Sequence, residues 1–202
     1  MLVAERKAQL RRTERNRLRL CGRKETLAEA GVAVQERFLA AFPPAPGRRT
    51  ALYMAVRGEV GTGRIRDRYL AGGGILFYPR VMEDGYLSFF PDGGEDGWVR
   101  GKYGLLEPRI SPGEEGLRGG FDLVVVPGMA FDDMGRRLGK GYGYYDRFLS
   151  GLDGSAVTVG LAFSRQLVPE VPVDAWDVPV DAVVTEAGVI RIPRERRDRR
   201  VK

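Results

Sequence analysis

The chain has 202 residues, 43% apolar and 30% charged, with 33 Lys and Arg against 27 Asp and Glu and a formal charge of +6. This length suits one domain able to bury a core, and the composition excludes a disordered chain or a repeat array. One cysteine, Cys21, and no histidine exclude an internal disulfide, a four-cysteine metal site and the usual zinc and haem sites. The apolar runs are far shorter than the ~20 residues of a membrane helix, and Met1 to Lys7 has no apolar signal-peptide core. A reducing, aqueous, cytoplasmic setting is expected.

The charge is uneven. Residues 1–24 hold nine Lys and Arg against two Glu, and residues 191–202 hold seven against two acids, so the ends carry +7 and +5 and the body −6. A basic end raises the possibility of a nucleic-acid-binding module. No helix-turn-helix, zinc-finger or aromatic RNA-binding pattern accompanies it, so no nucleic-acid partner is expected.

In chain order, residues 5–24 read as a very polar helix anchored by Leu10, Leu18 and Leu20. A second helix sets Leu27, Ala30, Val34, Phe38 and Ala41 on one face, and the proline-rich 43–47 stops it. Residues 51–56 read as a buried strand, Thr62 as the cap of a short helix carrying Ile65, Tyr69 and Leu70, and Gly72–Gly74 as its end. Residues 75–79 form the next strand, giving a strand–helix–strand unit that favours parallel pairing. A weaker strand is expected at 86–90, then a long surface excursion over 91–120 around Glu107-Pro108. Phe121 to Val126 is a strand apolar enough to be covered on both faces. A glycine-rich loop, a helix from Tyr144, strands at 156–162 and 182–185 and an edge strand at 189–192 complete the pattern. The expectation is a single three-layer α/β/α domain over 1–193 with a mostly parallel central sheet, and a basic, disordered tail at 194–202.

Ligands of open α/β sheets collect beyond the carboxyl ends of the strands. After the 121–126 strand, Gly139, Gly141 and Gly143 leave backbone N–H groups unobstructed by β-carbons, which suits an anion. Arg137 and Lys140 add positive charge, the helix opening near Gly143 directs its dipole to the same place, and Asp146 offers a hard oxygen of the kind magnesium takes. The loop is not a Walker loop, which ends in Gly-Lys-Ser/Thr. A bare alternation of glycines also describes an ordinary flexible loop. Residue chemistry alone points to a phosphate or nucleotide site.

The run Val126-Pro127-Gly-x-Ala130-Phe131-Asp132-x-x-Gly135-x-Arg137-Leu138-Gly139-x-Gly141-x-Gly143-Tyr144-Tyr145-Asp146 resembles the hallmark segment of the 5-formyltetrahydrofolate cyclo-ligase family, also called methenyltetrahydrofolate synthetases. The likeness continues through Lys7-x-x-Leu10-Arg11, Glu59-Val60-x-Thr62, Pro79-Arg80, Glu107-Pro108 and Asp177-x-x-Val180-Asp181. Gly61 and the 91–120 segment depart from the family pattern. The resemblance implies a fold similar to that of sugar-phosphate isomerases and CoA-transferases. It implies cyclisation of 5-formyltetrahydrofolate to 5,10-methenyltetrahydrofolate with ATP as co-substrate and Mg²⁺ as cofactor, these small molecules being the partners of a monomer. A relative that keeps the nucleotide loop but acts on another substrate is the alternative.

The resemblance also implies roles. Lys7 and Arg11 reach the nucleotide phosphates, and Arg137, Leu138, Gly139, Lys140, Gly141, Tyr142, Gly143, Tyr144 and Tyr145 form the ATP loop. Glu59 holds the pterin end of the folate, Met54 touches it, and Lys140 through Tyr144 border the formyl group. Asp146 and Asp177 are the implied magnesium ligands, and Lys140, Arg137 and Tyr144 the implied catalytic residues.

Overall fold

The computed structural model describes residues 2–20, 24–94, 96–101, 104 and 106–193. Helices α1 (Val3–Leu20) and α2 (Lys24–Ala41) precede β1 (Arg49–Ala51), α3 (Gly63–Ala71), β2 (Ile75–Val81), β3 (Leu87–Pro91), β4 (Trp98–Arg100), β5 (Leu106–Pro108) and β6 (Leu123–Val126). There follow β7 (Ala130–Phe131), β8 (Arg137–Leu138), α4 (Tyr144–Ser150), β9 (Val157–Leu161), a 3₁₀ turn (Ser164–Gln166), β10 (Ala182–Val184) and β11 (Val189–Arg191). Cys21, the side chains of Leu18 and Leu20 and the tail 194–202 lie outside the described residues. Among the described residues no helix is long and apolar enough to cross a membrane.

Seven strands form the central sheet in the order β11-β10-β9-β6-β1-β2-β3. The inner five run parallel, and β3 and β11 pair antiparallel at the two edges. Strand β6 is buried along its length, and its period-two alternation feeds two cores. Leu123 and Val125 join Val34, Phe38, Ile65 and Tyr69 under α2 and α3. Val124 and Val126 join Phe131, Phe148 and Leu149 under α4. The result is a three-layer α/β structure, as the sequence pattern predicts.

This layering fixes where a ligand sits. From β1 the chain crosses by α3 to β2 on one face, and from β6 it crosses by α4 to β9 on the other, moving in opposite directions from adjacent strands. The carboxyl ends of β1 and β6 therefore bracket a topological switch point, where open α/β sheets form a crevice.

Several elements differ from their sequence pattern. The expected strand at 51–56 pairs only over Arg49–Ala51. Past Leu52 the chain is drawn into a loop, because the Tyr53 hydroxyl donates to the Val60 carbonyl at 2.6 Å and the Tyr53 carbonyl accepts from the Thr62 hydroxyl at 3.0 Å. Thr62 thus spends its hydroxyl on that loop and makes no side-chain cap. Gln35 of α2 caps α3 instead, accepting the Arg64 N–H at 2.9 Å. The 91–120 segment is no mere surface excursion. It contains the β4–β5 hairpin, packs Trp98 edge-on to Tyr78 with centroids 4.8 Å apart, and sets Glu107 3.3 Å from Arg80. Its sequence is polar and glycine-rich because the hairpin buries one side only, a pattern that periodicity detects poorly in three-residue strands.

Candidate active site

The loop that follows β6 is a braced structure. Strands β7 and β8 pair as a short ladder, and the buried carboxylate of Asp132 closes it by accepting the N–H groups of Met134 and Arg136, each at 3.0 Å, and of Val171 at 2.9 Å. Burial raises the Asp132 pKa, an effect that these backbone donors and Arg136 offset only in part. Gly141 has φ +109, a conformation L-residues rarely adopt. At that point Arg11 of α1 reaches over the loop and donates from Nε to the Gly139 carbonyl at 2.9 Å.

Beyond the strand ends lies a cavity of about 620 Å³, within the usual range for small-molecule sites. Its lining includes Lys7, Arg11, Met54, Glu59, all nine residues from Arg137 to Tyr145, Asp146 and Asp177. Positions drawn from four distant parts of the chain thus line one cavity. It also includes residues that sequence reasoning left out: Asp174, Trp176, Val81, Leu87 and Leu106. Asp174, three residues before Asp177, and Trp176, an aromatic exposed at 69%, carried a local signal. Leu106 did not, because only the hairpin's packing on β2 brings it there.

Three ion-pair systems organise the polar part, the third being Arg137 with Asp146. The buried Lys7 ammonium donates to Asp174 Oδ2 at 2.7 Å and to Asp177 Oδ2, whose oxygen also accepts the Asp174 N–H at 2.7 Å. Lys140 Nζ lies 2.7 Å from Glu59 Oε1, and Glu59 Oε2 accepts the Val56 N–H at 3.1 Å. Lys140 remains half exposed, while Glu59 is only 10% exposed.

Arg137 is a deeply buried residue of the cavity wall. Its side chain is 3% exposed, donates to Asp146 Oδ1 at 2.8 Å and lies 5.7 Å over the Tyr145 ring. It thus contacts both Asp146 and Tyr145. Tyr145 packs against both cores, and its buried hydroxyl has no hydrogen-bond partner among the described residues. Burial, reinforced by the Glu59 carboxylate, raises its phenol pKa well above the ordinary value, so the group stays a proton donor. Tyr142, exposed at 62%, stacks on Tyr144 with centroids 5.6 Å apart, and the Arg147 guanidinium caps the Tyr144 ring at 5.4 Å. The helix behind this loop, α4, is only seven residues long, so its dipole is a lesser contributor than the side-chain charges.

The donor set suits magnesium of one particular kind. Among the described residues no three His, Cys, Asp or Glu side chains gather into a self-sufficient metal cage. Asp146 and Asp177 are separate hard-oxygen donors on the wall of one cavity. Magnesium is commonly held by one or two carboxylates plus substrate phosphates, so these residues fit an ion that arrives with a nucleotide.

A model of the 5-formyltetrahydrofolate cyclo-ligase family matches residues 3–186. The 5-formyltetrahydrofolate cyclo-ligase of Mus musculus is 30% identical over 193 residues, covering 88% of this chain and 92% of that protein. The protein of the same name in Escherichia coli (strain K12) is 29% identical over 168 residues, covering 82% and 92%. Among solved structures, Aquifex aeolicus 5,10-methenyltetrahydrofolate synthetase superposes with a TM-score of 0.78 at 31% identity, over 95% of this chain and 93% of the other.

Proposed function

This chain belongs to the 5-formyltetrahydrofolate cyclo-ligase family, and from that premise we propose that it uses ATP to close 5-formyltetrahydrofolate into 5,10-methenyltetrahydrofolate, releasing ADP and phosphate. The observation that carries the proposal is the composition of the 620 Å³ cavity at the switch point. Lys7, Arg11 and Asp177, from α1 and the segment before β10, suit a nucleotide and its metal. Val81, Leu87 and Leu106, from β2, β3 and the β5 hairpin, suit a flat apolar body, and the Glu59–Lys140 pair lines the same cavity.

The chemistry follows from what each group can do. A formamide oxygen is a poor leaving group, so N10 cannot displace it directly. Attack by that oxygen on the γ-phosphate breaks the bond to ADP and leaves a phosphorylated imidate, which N10 then closes with loss of phosphate. Glu59 accepts paired hydrogen bonds from the pterin's amino and ring N–H groups, a charge-assisted contact that fixes the ring. Lys140 sits on the same carboxylate and places its ammonium where charge builds on the phosphoryl oxygens. Lys7 and Arg11 orient the phosphate chain, Arg137 holds Asp146 in position, and Tyr144 with Tyr142 forms an aromatic edge to the substrate. Asp146 and Asp177 would hold magnesium, which when bound neutralises phosphate charge. No histidine base is required. Residence in the cytoplasm and action as a monomer belong to the same proposal.

The test is an absorbance assay for the methenyl product with purified protein, ATP, Mg²⁺ and 5-formyltetrahydrofolate. ATP-dependent product formation is expected. ATP binding without product would move the second substrate to another chemical class.

A further inference from the structure

Behind Lys140 a second, smaller cavity of about 240 Å³ opens, with room for a tetrahedral oxyanion and several waters at about 30 Å³ each. Three guanidinium groups line it, from Arg15, Arg57 and Arg165, and none has a carboxylate partner among the described residues. The two acids on the same wall are already engaged: Glu14 with Arg17 at 2.8 Å, and Glu59 with Lys140 at 2.7 Å. The lining therefore carries three cationic side chains without a carboxylate partner among the described residues.

Arg15 and Arg57 are exposed, whereas Arg165 is built in by the fold. Arg165 lies 5.1 Å over the Phe163 ring, and its Nε and one Nη are buried with no acceptor among the described residues. The 3₁₀ turn that carries it is pinned by buried Gln166, which donates to the carbonyls of Gly128 and Met129 at 3.1 and 3.2 Å while accepting the Phe163 N–H at 2.8 Å. Gly128 and Met129 form wall common to both cavities, as does Lys140. Along α1, Lys7, Arg11 and Arg15 recur every four residues on one face. The first two line the main cavity and the third the smaller one.

We propose that this pocket receives the inorganic phosphate released in the reaction, an inference that rests on the cyclo-ligase function proposed above. In the closing step the N10 lone pair forms the new C–N bond. The phosphate keeps the electron pair of the breaking C–O bond, takes up the N10 proton and leaves as hydrogen phosphate. Nucleotide and folate occupy the main cavity at that moment. The dianion therefore passes behind Lys140 onto guanidinium groups whose fork geometry matches its oxygens.

Calorimetric titration of inorganic phosphate into the full chain saturated with ADP reads this pocket whether or not the enzyme turns over. One binding event is expected. Arg57→Gln and Arg165→Gln should each weaken it about tenfold, the loss of one charge-assisted contact. Arg12→Gln, an exposed position on α1 outside the pocket, should leave it unchanged. Product inhibition by phosphate should weaken by the same factor in the two pocket variants, with KM for ATP unaltered. Absence of phosphate binding in the wild type, displacement of phosphate by ADP, or equal weakening by Arg12→Gln would each overturn the proposal. Phosphate binding that depends on these arginines in a protein forming no methenyl product would overturn the reaction and leave an anion pocket.

Discussion

Changing Glu59 to glutamine removes a charge from the centre of the cavity while keeping its shape. Glu59 Oε2 accepts the Val56 N–H at 3.1 Å and Oε1 the Lys140 ammonium at 2.7 Å, with Lys140 46% exposed. A lysine that open to solvent stays hydrated when its partner is neutralised, so the pair contributes less than about 1 kcal/mol to stability. For a chain of this size that is a Tm change of no more than ~4 °C. Binding is a different matter. The amide offers one acceptor oxygen where the carboxylate offered two, so either the Val56 N–H or a pterin donor must face an NH₂ group. Turning one charge-assisted bond into a donor–donor contact costs about 1.5–3 kcal/mol, which raises KM for 5-formyltetrahydrofolate roughly ten- to a hundredfold. The lost contact serves ground and transition state alike, so kcat falls much less. Initial rates of methenyl formation at saturating ATP, with thermal melts alongside, measure both quantities. A folded Glu59→Gln protein with the wild-type KM would refute the assignment of Glu59 to the pterin.

Three further outcomes follow from the same geometry. Asp146→Asn should raise the Mg²⁺ concentration for half-maximal rate by about tenfold or more, and an unchanged metal dependence would remove Asp146 from the metal's ligands. Asp132→Ala strands the three backbone N–H groups that its carboxylate satisfies, at a cost of about 3 kcal/mol in urea denaturation; a loss below about 1 kcal/mol would mean that water replaces them. Burial raises the phenol pKa of Tyr53, Tyr78 and Tyr145, and that of Tyr69 to about 12. A raised pKa contributes stability that is complete below the unfolded phenol value of about 10 and is lost as pH climbs through the folded values. Denaturant midpoints should accordingly hold steady up to about pH 10 and then fall together with the rise of tyrosinate absorbance, whereas a midpoint flat across that range would show these hydroxyls to be hydrated.

The class of fold and the identity of the loop were legible in the amino-acid order. Leu123 to Val126 is apolar at every position because α2 and α3 cover one side and α4 the other, and a doubly covered strand leaves that signature in any window. The loop from Pro127 to Asp146 was legible for a related reason. Its ladder, its positive-φ glycines and its Asp132 brace are local, so their residue types sit close together in the chain. Tertiary structure decided what depends on distant partners. The polar 98–108 segment became a wall of the cavity through contacts of Trp98 and Glu107 with β2. Arg137 became a buried side chain of the cavity wall because Asp146 and Tyr145 close around it. Lys7 and Asp177 are 170 positions apart and meet only because α1 folds across the carboxyl ends of the strands. A pairing at that separation has no local periodicity to announce it, since its free energy appears only once the sheet between the two ends has formed.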